Sequence, residues 1–252
     1  VNPLRATRAA FVFLTRIPVG GFPYTDDEFR WAPAFFPVVG AVLGVALGGV
    51  DVGLQPLGGF AAAVGTLAVS LLATGAFHED ALADTSDALG GGFDREKILA
   101  ILKDSRVGAF GAAAIGVSLL ARTALIARLG AGAFLAIPFI GMAARALPVW
   151  QIATMTYVSS PASRSPGVTR ARVPQAAVAT AWVALAAAGL VVTSRMSWER
   201  AASALGAMTL VTILSGWRYA RRLGGFTGDF LGATEQLCEL VGYGALAWGI
   251  SS

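Results

Sequence analysis

Charge is what this sequence has least of. Asp, Glu, Lys and Arg together make up 13% of its 252 residues, about half of what a soluble domain carries. Hydrophobic residues make up 56% and the mean hydropathy is +0.67, which excludes a disordered chain and an ordinary soluble enzyme. Lysine is nearly missing: 17 of the 19 cations are Arg, and only Lys97 and Lys103 complete the set. The pI near 9.7 therefore reflects few charges of either sign, and nucleic-acid binding through a basic surface is excluded. The single cysteine, Cys238, excludes an intramolecular disulfide and a cysteine-cluster metal site. No G-x-x-x-x-G-K-[ST] loop is present, which argues against ATP hydrolysis of the Walker type.

What is there is apolar sequence in long runs. A bilayer-spanning helix needs about 20 mostly apolar residues. Seven stretches qualify, roughly 35–55, 57–77, 107–127, 129–149, 174–194, 201–217 and 236–250. The clearest is Val52 to Phe77, with no charged residue. Asp51, Arg122, Arg145 and Glu239 lie inside other stretches. The predicted fold is an all-α, polytopic transmembrane bundle of about seven spans with short amphipathic cytoplasmic helices. It forms one integral-membrane domain over residues 1–252 with no linker. Phe11 to Ile17, interrupted by Arg16, reads as an interfacial helix or a solvent-facing arm, and not as a cleaved signal peptide. Gly40, Gly44 and Gly48 recur every fourth position, a close-packing face between helices.

The cations orient the bundle. With the N-terminus in the cytoplasm, the cytoplasmic segments hold 14 Lys and Arg, Arg164 among them, against Arg128, Arg195 and Arg200 on the far side. The expected location is the cytoplasmic (inner) membrane, with the site facing the cytoplasm.

Seven of the 15 acidic residues fall between Glu79 and Asp104. Asp80, Asp84 and Asp87 are spaced i, i+4, i+7, one stripe of a helix that Gly90-Gly91-Gly92 should stop. Like charges at that spacing repel, and the stripe has no interleaved Lys or Arg. Such a stripe calls for a cation, and hard Mg²⁺ uses one or two carboxylates plus substrate phosphates. The stripe cannot lie at the bilayer centre, where each charge costs about 2.5–3.5 kcal/mol. Asp94 should cap a short amphipathic helix bearing Ile98, Leu99, Ile101 and Leu102. After it, Lys103-Asp104-Ser105-Arg106 precedes the third span. Arg106 and the first amides of that span suit a phosphate, with membrane anchoring as the plainer reading. A second acidic patch holds Asp229 in a Gly-rich turn and Glu235 and Glu239 one helical turn apart. The map puts it on the same membrane face. Arg145 is either a snorkelling cation or an anion clamp. His78, the only histidine, should point away from the aspartate stripe. Clustered carboxylates with scattered arginines suggest phosphotransfer from a diphosphate donor.

Several segments together resemble the cobalamin synthase family, the adenosylcobinamide-GDP ribazoletransferases. They are Phe13-Leu14-Thr15-Arg16-Ile17-Pro18, Phe36 to Gly40, His78 to Asp87, Lys103 to Gly111, and Thr227 to Ala233 followed by Glu235 and Glu239. They run in family order over nearly the whole chain. One departure is visible, Ala81 and Ala88 where the family often has Gly. The resemblance implies the last step of nucleotide-loop assembly in cobalamin biosynthesis. Adenosylcobinamide-GDP and α-ribazole or its 5′-phosphate would be the substrates, GMP the leaving group and Mg²⁺ the cofactor. On that footing Asp80, Asp84, Asp87, Glu235 and Glu239 are candidate metal ligands. Arg16, Ser105, Arg106, Arg145 and Asp229 are candidate substrate contacts. Asp87, Asp104 and His78 are candidate catalytic groups, with Asp87 favoured over His78 as proton acceptor. The expected partners are these small molecules and the lipid bilayer, with no nucleic acid, and a homo-oligomer is left open. Two rival readings are a lipid-directed CDP-alcohol phosphotransferase and a carboxylate-coupled transporter. The first requires a D-x-x-D-G-x-x-A-R pattern that the spacing from Asp80 to Asp84 does not give. The second usually has two related halves and acids near the midplane, whereas here they gather at one face.

Overall fold

In a computed structural model, residues 1–158 and 167–248 are described. Arg164 and the last residues of the 236–250 stretch lie outside them. Twelve α-helices follow one another in the described residues. They are α1 (Pro3–Leu14), α2 (Asp26–Trp31), α3 (Phe36–Leu54), α4 (Gly59–Thr74), α5 (Phe77–Gly91), α6 (Arg95–Ile101), α7 (Ala109–Leu129), α8 (Ala133–Ala146), α9 (Pro148–Thr154), α10 (Val173–Val192), α11 (Trp198–Leu223) and α12 (Gly228–Ala247). Among the described residues the only β-type pairing is an isolated bridge between Tyr157 and Phe226.

The chain writes its helix ends locally. Asn2, Thr25, Asp94, Ser197 and Thr227 each accept a backbone N–H of the first turn that follows, so α1, α2, α6, α11 and α12 start where a capping side chain stands. In α2, Glu28 reaches back to the Thr25 amide and closes a capping box. The triple glycine ends α5, whose last residue is Gly91. α1 lays its buried Ala6, Ala9, Ala10 and Leu14 against the rest of the protein, with α3 among its neighbours.

The bundle is polytopic, but fewer helices qualify as spans than the seven stretches expected. Three segments are long and apolar enough to cross a membrane: Asp26–Leu57, Ala109–Thr154 and Val173–Val192. A fourth is added if α4 and α5 count as one broken span, bent by 89°. The shortfall has physical causes. The segment Ala109–Thr154 contains both α7 and α8. Arg122 and Arg145, 23 positions apart, would stand about 35 Å apart on one straight helix, yet both reach Glu239. The chain therefore folds back near Gly130, whose φ is +52°. α11 is free of charge only between Arg200 and Arg218, and α12 carries Asp229, Glu235 and Glu239, so neither is apolar enough over the length of a span.

Two contacts set the frame. α3 lies along α8 through its glycine face. A β-carbon on Gly40 would overlap the Gly141 carbonyl, and one on Gly44 would overlap the Pro138 backbone. One on Gly48 would stand 3.0 Å from the Phe134 carbonyl oxygen. Absent side chains thus let two backbones touch. α12 sits centrally and packs against α5, α7, α8, α9 and α11.

Candidate active site

The site begins at a corner. α4 ends at Thr74, and the next two residues, Gly75 (φ +71°) and Ala76 (φ +56°), are both left-handed. That conformation is routine for glycine and costly for alanine. It turns α5 almost perpendicular to α4 and brings its acidic stripe out of the line of the span. The guanidinium of Arg16 lies over Gly75, where any β-carbon would strike it, and the Arg16 amide donates to the Ala73 carbonyl at 2.8 Å. Arg16 is thus anchored at the corner from which the stripe departs.

α5 has two faces. Asp80 is exposed and Asp84 and Asp87 are half-buried, whereas His78, Glu79, Ala81, Leu82 and Thr85 are buried. α12 crosses the buried face where a β-carbon on Gly232 would come within 2.5 Å of the Ala81 methyl. The alanine that departs from the family pattern is thus accommodated by a glycine on the partner helix. The crossing sets the start of α12 beside the stripe. The charges of Asp80, Asp229 and Asp87 all act on Asp84, and that of Asp80 acts on Asp229. Two acidic tracts 140 and more residues apart in sequence therefore meet. Among the described residues, Asp80, Asp84 and Asp229 pair with no Lys or Arg.

Asp87 has a different task. Its Oδ2 accepts the Gly108 amide at 2.7 Å and its Oδ1 accepts the Gly111 amide at 2.9 Å. It caps α7 from another helix. A β-carbon on either glycine would run into this carboxylate. The N-terminus of α7, expected to seat a phosphate, is filled by Asp87. With both oxygens engaged, Asp87 is also poorly placed as the proton acceptor. Beside it, Arg106 is exposed and forks onto Asp104, at 2.9 Å from Nε and 2.6 Å from a terminal nitrogen. That contact holds the Asp104 carboxyl down at about 2. Asp104 orders Arg106 and is not free for a metal. Ser105 and Lys103 are exposed next to it.

Behind the stripe lies a charged cluster between helices. Arg122 reaches Glu79 at 3.0 Å and Glu239 at 2.8 Å. Arg145 reaches Glu235 at 3.0 Å and Glu239 at 3.3 Å. The Glu235 carboxylate also accepts from Gln236 at 3.1 Å, and His78 Nδ1 stands 3.9 Å from it. The side chains of Arg122 and Arg145 are 1% and 7% exposed, burial that a charge tolerates only when paired. Three of the candidate site residues thus stand in this second cluster. Glu235 and Glu239 neutralise arginines instead of sharing a shell with the aspartates, and Arg145 is held by them. Glu79 and Arg122 were not among the candidate site residues. The signal for Arg122 was its position in the middle of an apolar run.

The donors fit Mg²⁺ by type. Asp80, Asp84 and Asp229 offer hard carboxylate oxygens with no Lys or Arg partner among the described residues. Among the described residues no three His, Cys, Asp or Glu side chains already stand as a metal cage. An ion that takes one or two carboxylates and fills its octahedron with water and phosphate oxygens does not require one.

The chain matches the family model described as cobalamin-5-phosphate synthase over residues 6–247. It is 38% identical to an adenosylcobinamide-GDP ribazoletransferase of Polaromonas sp. (strain JS666 / ATCC BAA-500), covering 98% of this chain and 99% of the relative. It is 36% identical to one of Leptothrix cholodnii, covering 98% and 96%. It is 38% identical to one of Vibrio parahaemolyticus, covering 93% and 88%. No solved structure matches it. With a family match over residues 6–247 and relatives 36–38% identical over most of both chains, the chain belongs to the cobalamin-5-phosphate synthase family.

Proposed function

We propose that the protein is the membrane transferase that joins adenosylcobinamide-GDP to α-ribazole or its 5′-phosphate and releases GMP. An oxygen of the acceptor ribose forms a bond to the phosphorus on the cobinamide side. The bond from that phosphorus to the bridging oxygen breaks, and that oxygen leaves with GMP. The observation that carries the reading is the meeting of Asp229 with Asp80 and Asp84 at the outer end of α5.

Asp80, Asp84 and Asp229 would hold Mg²⁺, which when bound would neutralise charge on the diphosphate. Arg16, pinned at the α4–α5 corner, and Arg106, aimed by Asp104, supply donors for phosphate oxygens. Asp84 replaces Asp87 as the proposed acceptor of the hydroxyl proton, because Asp87 already receives two amides. The ion-pair cluster of Arg122, Arg145, Glu79, Glu235 and Glu239 positions α5 against α12.

The excess of cations on one side supports an inner-membrane location with this face toward the cytoplasm. The test is direct. Purified protein in lipid nanodiscs, given adenosylcobinamide-GDP, α-ribazole and Mg²⁺, is expected to release one GMP per cobalamin formed. The Asp84→Asn variant is expected to be at least a hundredfold slower. Wild-type protein that releases no GMP would remove the reading.

A further inference from the structure

A groove runs along the back of the acidic helix, with a cavity volume of about 680 Å³, within the range of small-molecule sites. α7 and α11 form its two sides, and both pack against α12, which floors it. α5 contributes Leu82, Thr85, Ser86 and Leu89. At the helical period these four lie roughly opposite Asp80, Asp84 and Asp87, so α5 stands as a wall between the groove and the carboxylates. Val117 of α7 and Leu214 of α11 are exposed at its lips. Polar groups of two kinds meet this apolar surface. Helix hydroxyls elsewhere in the chain turn back to the carbonyl one turn earlier, as those of Thr74, Ser86, Thr154 and Thr180 do. Thr85 Oγ1 and Ser118 Oγ, on residues each 5% exposed, have no hydrogen-bond partner, and both residues line the groove. Arg218 lines it as well. It is exposed and has neither an ion pair nor a hydrogen bond among the described residues.

We infer that the groove is a phospholipid site, in which one acyl chain lies between α7 and α11 and the phosphate of an anionic headgroup rests on Arg218. The apolar length of the groove takes the chain. Hydroxyls facing hydrocarbon cannot turn to water, and the ester carbonyls at the head of the chain are the acceptors that Thr85 and Ser118 lack. Arg218 supplies a fork of donors for phosphate oxygens. A basic side chain at the leaflet surface also favours a net-negative headgroup over a zwitterionic one. The lipid is no reactant, because α5 separates it from the carboxylates on its other face. It is a bound part of the molecule, packed against the back of the acidic helix. The inference is independent of the reaction proposed above.

The experiment uses the full chain in nanodiscs made of equal parts phosphatidylglycerol and phosphatidylcholine. After extraction into mild detergent, retained lipid is identified and counted by native mass spectrometry. Wild-type protein is expected to retain a phospholipid, with phosphatidylglycerol preferred about fivefold. Arg218→Gln is expected to keep a lipid and lose the preference. Arg221→Gln, whose side chain lies over the Trp217 ring and does not line the groove, is expected to change neither. Val117→Trp, at the exposed lip, fills the groove and is expected to expel the lipid. Thr85→Val keeps the shape without the hydroxyl and is expected to weaken retention about fivefold. Retention by wild-type protein without preference between the two headgroups overturns the inference, as does a preference that survives Arg218→Gln. Retention unchanged in both Val117→Trp and Thr85→Val overturns it too. So does a lipid-free dimer that Val117→Trp dissociates, which would give the groove to a second copy of the chain.

Discussion

Replacing Arg122 with Met tests the buried cluster most sharply. The guanidinium is 1% exposed and is shared by Glu79 at 3.0 Å and Glu239 at 2.8 Å. Its removal leaves Glu79 without an ion-pair partner among the described residues and Arg145 to serve both Glu235 and Glu239. Removing one partner of a buried ion pair costs about 3–5 kcal/mol, because the remaining charge is neither solvated nor paired. At about 2–4 °C per kcal/mol for a chain of this size, the unfolding midpoint should fall on the order of 10 °C. The informative comparison is the triple variant Arg122→Met, Glu79→Gln, Glu239→Gln. It removes one cation and two anions and leaves Arg145 matched to Glu235. Since neutral residues of similar shape replace buried ion pairs at little cost, it should recover more than half of the loss. The assay is thermal unfolding of detergent-purified protein followed by tryptophan fluorescence. A single variant within about 1 kcal/mol of wild type, or a triple variant no more stable than the single, would refute the account of this cluster as a buried, mutually neutralising network.

The other expectations are shorter. Asp87→Ala should cost about 1–2 kcal/mol of stability through loss of the α7 cap, whereas Asp84→Ala should leave the unfolding midpoint at or above wild type and abolish GMP release. If the two substitutions lower the midpoint equally, the division of labour between these aspartates is wrong. Gly40→Val should destabilise the protein by about 1–3 kcal/mol, since its side chain meets the Gly141 backbone, while Gly49→Val, with no atom near its β-carbon, should be neutral in the same melt. Chelation of divalent ions should stop GMP release and added Mg²⁺ should restore it; activity that survives chelation would exclude the metal assignment. Single cysteines at positions 84 and 229 in a Cys238→Ser background should react with an impermeant thiol reagent from the same side of the membrane. Reaction from opposite sides would separate the two acidic tracts and with them the site.

How much of this was legible beforehand follows from the range over which each signal acts. The aspartate stripe depends on a helical period, so its spacing placed Asp80, Asp84 and Asp87 on one face before any fold was known. The same holds for the glycines at 40, 44 and 48, and for Asp94 as a cap of α6. The corner at Gly75-Ala76 was hidden, because nothing in the spacing marks an alanine as left-handed. The partners of Asp87, Arg122 and Arg145 were hidden for another reason. They lie 21 to 117 residues away in sequence, and composition reveals that a charge is present without revealing which charge faces it. The pairing of Glu235 and Glu239 with arginines was hidden on that account. Their carboxylate chemistry suited a metal equally well until the position of α8 was known.

The central place of α12 bears on how the chain is made. Arg122 and Arg145 leave the ribosome and enter lipid long before Glu235 and Glu239 are translated, with only Glu79 on hand as a counter-charge. Until the last helix arrives, two guanidiniums must wait at a water-filled crevice, in the insertion machinery or with a chaperone. Synthesis of this protein thus has a point before which it cannot be electrically closed, and truncation ahead of α12 should yield a substrate for membrane proteolysis instead of a smaller stable bundle.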